Sequence, residues 1–247
     1  MLNIVLPIAG RGSRFSAVGY TQPKPLIPVH DKPMIEVVVN NLRPTCPHRF
    51  IFLSLREHLE HWSMATVLRR AAPDCEIVPV DAVTEGAACT VLLAEELIDT
   101  EEPLMIANTD QYIATDVNGY IEQSAQDNCD GLIMTFTAKD PKWSYVRKDD
   151  QDLVIDVVEK QVVSDEATVG IYNFRHGSDF VRSAKSMIRR DLRVNGEFYV
   201  APAYNPLIEA GARIRTYGIP PEGIGMFGLG TPEDLELFLQ RLPAVPR

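Results

Sequence analysis

Leu2-Asn3-Ile4-Val5-Leu6-Pro7-Ile8 runs directly into Ala9-Gly10-Arg11-Gly12-Ser13-Arg14-Phe15, and after a short spacer the chain reads Gln22-Pro23-Lys24-Pro25. The apolar run is short enough for a buried strand and too short for a helix. A flexible, basic loop therefore leaves a rigid strand. Gly10 and Gly12 allow backbone N–H groups to converge without Cβ atoms in the way, and Arg11, Arg14 and Lys24 add positive charge beside them. Such a segment suits a polyphosphate. Two familiar phosphate loops are excluded. A dinucleotide fingerprint needs a third glycine where a helix packs on the strand, but Ser13 and Phe15 follow here and no helix is expected before Pro23. A Walker-type loop puts Lys-Ser or Lys-Thr directly after its last glycine, whereas this chain has Ser13-Arg14.

The segments that follow alternate in kind. Residues 3–9, 50–55, 76–80 and 104–107 are strand-like, and 34–42, 58–70 and 87–97 are helix-like. This pattern predicts βαβ units, a mostly parallel sheet and a site at the carboxyl edge of its strands. Pro33 is placed to open the first of these helices at its N1 position, with Met34, Val37, Val38 and Leu42 on the apolar face. Further on, residues 131–138, 145–148, 153–158 and 168–174 are strand-like with few helices between them, so an antiparallel or mixed region is expected there. Helices are expected at 177–190, 199–210 and 232–242. The last opens on Thr231-Pro232-Glu233-Asp234, an N-cap, a proline and two first-turn acids. The chain reads as one domain over 1–247, with a nucleotide-binding part near 1–130, an acceptor-binding part near 131–230 and a C-terminal helix at 231–242. Residues 243–247 look like a loose tail.

With 247 residues, 45% of them hydrophobic, the chain can bury a sizeable core. A formal net charge of -10 argues against a non-specific nucleic-acid binder. Cys46, Cys75, Cys89 and Cys129 show no paired spacing for zinc and are read as reduced thiols. No secretory segment is evident, and no apolar stretch approaches the roughly 20 residues that span a bilayer. A cytoplasmic protein without membrane partners is expected. His58 and His61 share a helical face and are read as solvated, and none of the five histidines has metal spacing.

Three features beyond the loop carry chemistry. Asp110 follows a buried strand in Asn108-Thr109-Asp110-Gln111, at the carboxyl edge, where a carboxylate facing a polyphosphate is a hard ligand for Mg²⁺. Lys160 follows another strand-like run beside Glu159 and can hold a second phosphate. Thr84-Glu85-Gly86-Ala87-Ala88 opens a helix with small residues, so its backbone can lie against a flat base or a sugar.

Taken together, Ala9 to Phe15 with Pro23-Lys24-Pro25-Leu26, Asn108 to Gln111, Glu159-Lys160 followed by Ala167 to Tyr172, and Gly230 to Asp234 resemble the sugar-1-phosphate nucleotidyltransferases, the nucleoside-diphosphate-sugar pyrophosphorylases. The resemblance covers nearly the whole chain. It implies an α/β fold, Rossmann-like, with a mixed, mostly parallel sheet flanked by helices and a smaller β-rich substrate lobe, and it leaves no length for the left-handed β-helix of some relatives. It also implies Mg²⁺-dependent transfer from an NTP to a phosphorylated acceptor. Ala9, Gly10, Arg11, Gly12, Ser13 and Arg14 would then cradle the triphosphate, with Arg14 on the departing pyrophosphate. Lys24 would act at the α-phosphate, Asp110 would bind the metal, and Thr84, Gly86, Ala87 and Asn108 would meet the nucleotide. Lys160 would grip the acceptor's phosphate and Glu159 its hydroxyls, and Gly170 and Glu197 are placed in the acceptor site with them. Trp143-Ser144-Tyr145 either lies over the acceptor, through Trp143 and Tyr145, or packs a hairpin. One departure stands out: where many relatives carry a second metal-binding Asp two residues before the Gly-Thr pair, this chain has Gly228. Water or another acid such as Glu197 would fill that role.

Three other readings remain open on sequence. A cytidylyltransferase acting on a non-sugar phosphate such as phosphocholine would use a similar scaffold. A nucleotide-sugar glycosyltransferase usually needs paired acids, and Asn108-Thr109-Asp110 offers one. An idle nucleotide-binding subunit would tolerate Gly228. Which NTP and which acceptor react, and whether the protein is a homo-oligomer, stay open.

Overall fold

The computed structural model describes residues 1–126 and 128–241. The expected tail and the last residue of the expected C-terminal helix lie outside the described residues. The largest sheet contains, numbered in chain order, β1 (Leu2–Pro7), β2 (His48–Leu55), β3 (Glu76–Val80), β4 (Leu104–Ala107), β5 (Gly131–Thr137), β6 (Ser144–Lys148), β7 (Val154–Glu159), β8 (Glu166–Phe174) and β9 (Ile214–Gly218). β3, β2, β1 and β4 lie side by side and parallel. β8 then joins the β4 edge antiparallel and also pairs with β5 and β6, while β7 pairs with β6 and β9 runs parallel to β5. The central parallel strands flanked by helices, and the antiparallel strands of the second half, match the expected α/β architecture.

The parallel strands are largely apolar because helices cover both faces of this part of the sheet. Successive side chains alternate between two cores. Ile4, Leu6, Phe50, Phe52, Met105 and Ala107 enter one, with Val38 of the helix Met34–Asn41 and Leu68 of Met64–Ala71. Val5, Ile51, Leu53, Leu104 and Ile106 enter the other, with Val91 of Ala87–Leu92 and Phe180 of Gly177–Arg189. Each large apolar side chain so buried contributes about 1.5–3 kcal/mol.

Several local expectations need correction. Ser13–Ser16 forms one helical turn, so a short helix does open before Pro23, although it ends far too soon to pack along β1 as a dinucleotide-binding helix would. Pro33 occupies the N-cap of Met34–Asn41, one residue earlier than expected. The expected helix at 58–70 is two, Arg56–His61 and Met64–Ala71, broken at Ser63 with φ of 52°. The stretch at 87–97 likewise divides into Ala87–Leu92 and Glu95–Ile98, and 199–210 into a 3₁₀ turn, Ala201–Tyr204, and a short α-helix, Asn205–Glu209. Val117–Gln126 is a further helix that the apolar pattern did not signal. Among the described residues, no helix is long and apolar enough to cross a membrane.

Two details of the sheet place the chemistry. The register between β8 and β5 shifts between Thr168 and Tyr172, and Gly170, with φ of 93°, lies within that bulge. A short ribbon pairs Met226–Gly228 with Gln111–Ile113, setting Gly228 opposite Gln111. The segment before the C-terminal helix is thereby fastened to the stretch that carries Asp110.

Candidate active site

The glycine loop leaves the carboxyl end of β1 between two parallel neighbours, and its shape depends on Gly12. This residue sits in the left-handed region, φ 61° and ψ 33°, and its carbonyl accepts the N–H of Phe15 at 2.9 Å. Phe15 is buried and meets Tyr20 edge to face, which anchors the turn. A Cβ at Gly12 would lie 3.0 Å from Lys24 Cβ. The bare glycine therefore lets the Pro-Lys-Pro segment close against the loop. Lys24 Nζ reaches Asp110 Oδ2 at 3.0 Å, with the two side chains 17% and 32% exposed. Asp110 follows β4, its backbone oxygen accepts the Leu229 N–H at 2.6 Å, and its other carboxylate oxygen, Oδ1, is buried with no hydrogen-bond partner among the described residues.

Two adjoining cavities open at this edge. One, of about 360 Å³, is lined by Gly10, Gly12, Ser13 and Lys24. The other, of about 500 Å³, is lined by Glu159, Lys160, Gly170 and Glu197. Arg14, Ala87, Asn108, Asp110 and Tyr199 border both. The loop and the Glu159–Lys160 pair thus border adjoining cavities that share Arg14 and Asp110.

On the acceptor side, β6 and β7 pair so that Ser144 faces Glu159, and the Ser144 hydroxyl donates to the Glu159 carboxylate. Burial pushes the Glu159 carboxyl above the usual range, and Glu197 pushes the same way, against the opposing pulls of Ser144 and the Lys160 ammonium. Lys160 adopts a left-handed φ of 56° as the chain leaves β7, and its N–H is held by the Trp143 carbonyl at 3.0 Å. Its ammonium donates to the Tyr199 hydroxyl and lies 4.6 Å from the centre of that ring. A raised carboxyl pKa means that the folded state holds its proton more tightly than the unfolded chain. This group's share of stability is present at low pH and is lost as pH rises through the folded-state pKa. Glu159→Gln should accordingly melt higher than the parent at neutral pH, with the difference vanishing at pH 4. Equal melting curves at both pH values would refute the assignment.

Five expected site residues are placed elsewhere. Arg11 lines a separate cavity with His58, His61 and Trp62, because the turn at Gly12 separates it from Arg14. His58, expected to be solvated, is 8% exposed, and burial lowers its pKa. Ala9 belongs to the second core. The Thr84 hydroxyl is used locally, donating to the Gly86 carbonyl at 2.9 Å and bonding the Thr90 hydroxyl at 2.7 Å. Gly86 itself packs against the backbone of Phe198, so of this turn Ala87 lines the cavities. Tyr145 is fully buried and its hydroxyl donates to the Asp140 carbonyl at 2.8 Å, which makes it a core residue, whereas its neighbour Trp143 lines the larger cavity.

Residues that sequence reasoning passed over complete the wall. Tyr199 opens the expected helix at 199–210 but lies in an irregular segment before the 3₁₀ turn, and Gln111 closes the Asn108–Gln111 motif. Asp234 packs beside Gly228. A Cβ at Gly228 would lie 3.1 Å from Asp234 Cγ, so the absent side chain leaves room for a carboxylate delivered from the first turn of Pro232–Arg241. That turn is capped by Thr231, whose hydroxyl accepts the Asp234 N–H at 3.1 Å. Glu197 borders the same cavity, but Asp234 is the acid beside position 228. Among the described residues, no cluster of three or more His, Cys, Asp or Glu side chains could hold a metal by itself.

The family described as nucleotidyl transferase matches residues 3–193. The chain belongs to this family. It is a nucleotidyltransferase enzyme, and its resemblance to the sugar-nucleotide pyrophosphorylases extends to solved structures. A nucleoside-diphosphate-sugar pyrophosphorylase from Vibrio cholerae RC9 is similar with a TM-score of 0.79 and 25% identity, over 96% of this chain and 99% of that one. A putative glucose-1-phosphate thymidylyltransferase from Bacillus anthracis shares the fold, with a TM-score of 0.75 and 17% identity over 100% and 98% of the two chains. So does an inositol-1-phosphate CTP transferase from T. maritima, at 0.73 and 12% over 99% and 98%. Comparison with curated proteins gives no match.

Proposed function

We propose that this nucleotidyltransferase moves the nucleotidyl group of an NTP onto a sugar 1-phosphate with Mg²⁺, giving an NDP-sugar and pyrophosphate in the cytoplasm. The observation that carries this reading is the meeting of the two cavities at Arg14 and Asp110, one walled by the glycine loop and Lys24, the other by Glu159 and Lys160. A triphosphate in the first and a phosphate monoester in the second would place an acceptor oxygen opposite the α-phosphorus.

The acceptor phosphate is largely dianionic at neutral pH, since its second pKa is about 6, so no general base is required. One of its oxygens bonds to the α-phosphorus as the bond to the β-phosphate oxygen breaks, and the electron pair leaves with pyrophosphate. Repulsion between two polyanions opposes this step, and positioned positive charge offsets it. Lys160 holds the acceptor's phosphate, Lys24 faces the α-phosphate and Arg14 the departing pyrophosphate. Tyr199 and the Trp143 carbonyl hold Lys160 in place.

The donor set suits a Mg²⁺ ion that keeps most of its water and is held by one or two carboxylates plus substrate phosphates. Asp110, through its unpartnered Oδ1, would hold the ion, and Asp234 faces the same cavity. When bound, the ion neutralises charge on the triphosphate. Asp110→Asn should raise the Mg²⁺ concentration for half-maximal turnover about tenfold or more and weaken Mn²⁺ binding measured by electron paramagnetic resonance. Unchanged values in both assays would remove Asp110 from the metal site.

Two aromatic faces disfavour a phosphocholine-like acceptor. Lys160 covers Tyr199 at 4.6 Å and Lys142 covers Trp143 at 4.7 Å, so the rings that would surround a quaternary ammonium already hold cations. Pyrophosphate release across the common NTPs, with hexose 1-phosphates, inositol 1-phosphate and phosphocholine as acceptors, tests the proposal. Turnover confined to a non-sugar acceptor would overturn the sugar assignment. Consumption of a sugar nucleotide without pyrophosphate would indicate a glycosyltransferase, and binding without turnover an idle subunit.

A further inference from the structure

A separate cavity of about 260 Å³ borders the glycine loop at Arg11 and Gly12, and the proposed reaction does not use it. It shares only Gly12 with the cavity that contains Lys24 and Asp110, and it has no residue in common with the one around Glu159 and Lys160. The turn at Gly12, with φ of 61°, makes this division. Arg11 goes to one cavity and Arg14 to the others.

Arg11 is exposed, and among the described residues it makes no hydrogen bond or ion pair. Its guanidinium keeps five donors in a planar fork, a geometry that fits a phosphate. Two aromatic rings line the same cavity. Tyr20, 37% exposed, meets buried Phe15 edge-on at 5.3 Å. Trp62, 39% exposed, caps the end of the helix Arg56–His61, where its N–H is held by the His58 carbonyl at 3.2 Å. Glu57 lines the cavity as well and remains largely exposed. One half-open ring on a surface is ordinary, but two in one concavity beside an unpaired guanidinium and a carboxylate have the make-up of a ligand site. The volume lies just below the range of pockets for drug-sized ligands, about 300–1,000 Å³, so a compact molecule with one ring system and one phosphate suits it.

We propose that this cavity is a second, non-catalytic site that binds a nucleoside monophosphate. The base lies against Trp62 and Tyr20, the phosphate accepts hydrogen bonds from Arg11, and the Glu57 carboxylate accepts from the ribose hydroxyls. Stacking on an aromatic face is tolerant of base identity, because every base has a π-face. The inference does not depend on which acceptor the catalytic site takes.

The test uses Trp143→Phe, which leaves Trp62 as the remaining one of the two tryptophans, and follows its emission during titration with AMP. The emission should be quenched saturably, and equally so when the α,β-methylene analogue of the fastest-reacting NTP fills the catalytic site. Ribose 5-phosphate, which keeps the phosphate and lacks the base, should bind about tenfold more weakly or worse. Adding Arg11→Met should weaken AMP binding about tenfold, the scale of losing hydrogen bonds to a charged group. Melting curves check that the variants fold. Should Trp143→Phe not fold, calorimetry of AMP binding to the parent and to Trp62→Leu replaces the optical signal, and the second should bind about tenfold more weakly. No binding at millimolar AMP, or parental affinity in the Arg11→Met protein, would overturn the proposal. Displacement of AMP by the NTP analogue would make the cavity an extension of the catalytic site, and equal affinity for ribose 5-phosphate would make it a plain anion site. Either result also overturns the proposal, while nucleotidyl transfer stands.

Discussion

Lys24→Ala is expected to lower kcat for pyrophosphate release by about 10³-fold, the scale of losing one preorganised positive group at a phosphoryl-transfer centre. The KM for the acceptor should change little, because Lys160 lies in the other cavity. The substitution also strips Asp110 of its ion-pair partner at 3.0 Å, and Asp110 already has one unpartnered oxygen. Removing one member of a fully buried pair costs about 3–5 kcal/mol. At 17% and 32% exposure this pair stands in contact with water, so a loss of about 1–2 kcal/mol is expected and the protein should still fold. Lys24→Met, which retains side-chain methylenes that alanine removes, should lose as much turnover with a smaller loss of stability. Near-normal turnover in either variant would end the assignment of Lys24 to the transferred phosphate.

Gly86→Ala should be among the most damaging small substitutions in the molecule. Gly86 has φ of 136° and ψ of 170°, a region that only glycine enters readily. A Cβ there would meet Phe198 O at 2.4 Å and Phe198 N at 2.5 Å, both backbone atoms that cannot rotate away. On either side the two segments are tied, Phe198 N–H to the Glu85 carbonyl at 2.8 Å and Ala88 N–H to the Phe198 carbonyl at 3.0 Å. Relieving the clash breaks that clamp and displaces Tyr199, which positions Lys160. Strain and clash together predict a loss of about 3–5 kcal/mol and a large fall in activity. Gly10→Ala is the control, because a Cβ there meets nothing within 4 Å and its φ is not positive. It should melt within about 0.5 kcal/mol of the parent. A Gly86→Ala protein of parental stability and activity would show that the clamp does not hold the site.

The fold was legible where pattern and burial coincide. The run 104–107 is apolar at every position and 50–55 at all but Ser54, because both faces of the parallel strands are covered, and that signal does not depend on distant contacts. It failed where a local break interrupts a periodic segment. Ser63, at φ 52°, divides one expected helix in two, and serine carries no warning of a left-handed conformation. Asp110 and Lys160 were singled out as charges at strand ends and Lys24 as a base beside the glycine loop, whereas Tyr145 and Trp143 could not be told apart two residues from one another. The hairpin turns the first into the core and the second toward the cavity.

The sequence by itself determined the chemical inventory: a glycine loop leaving a buried strand, basic residues around it, an acid after a parallel strand and a Glu-Lys pair after an antiparallel one. Those features are local, since short-range sterics and charge state them without reference to the rest of the chain. Only the tertiary structure decided which groups face one another. It turned Arg11 away from Arg14 and joined Lys24 to Asp110 across 86 residues. It carried Asp234 into the space left by Gly228. Each of those outcomes depends on strand register, a bulge or a positive φ, and a shift of one residue in a strand sends a side chain to the opposite face.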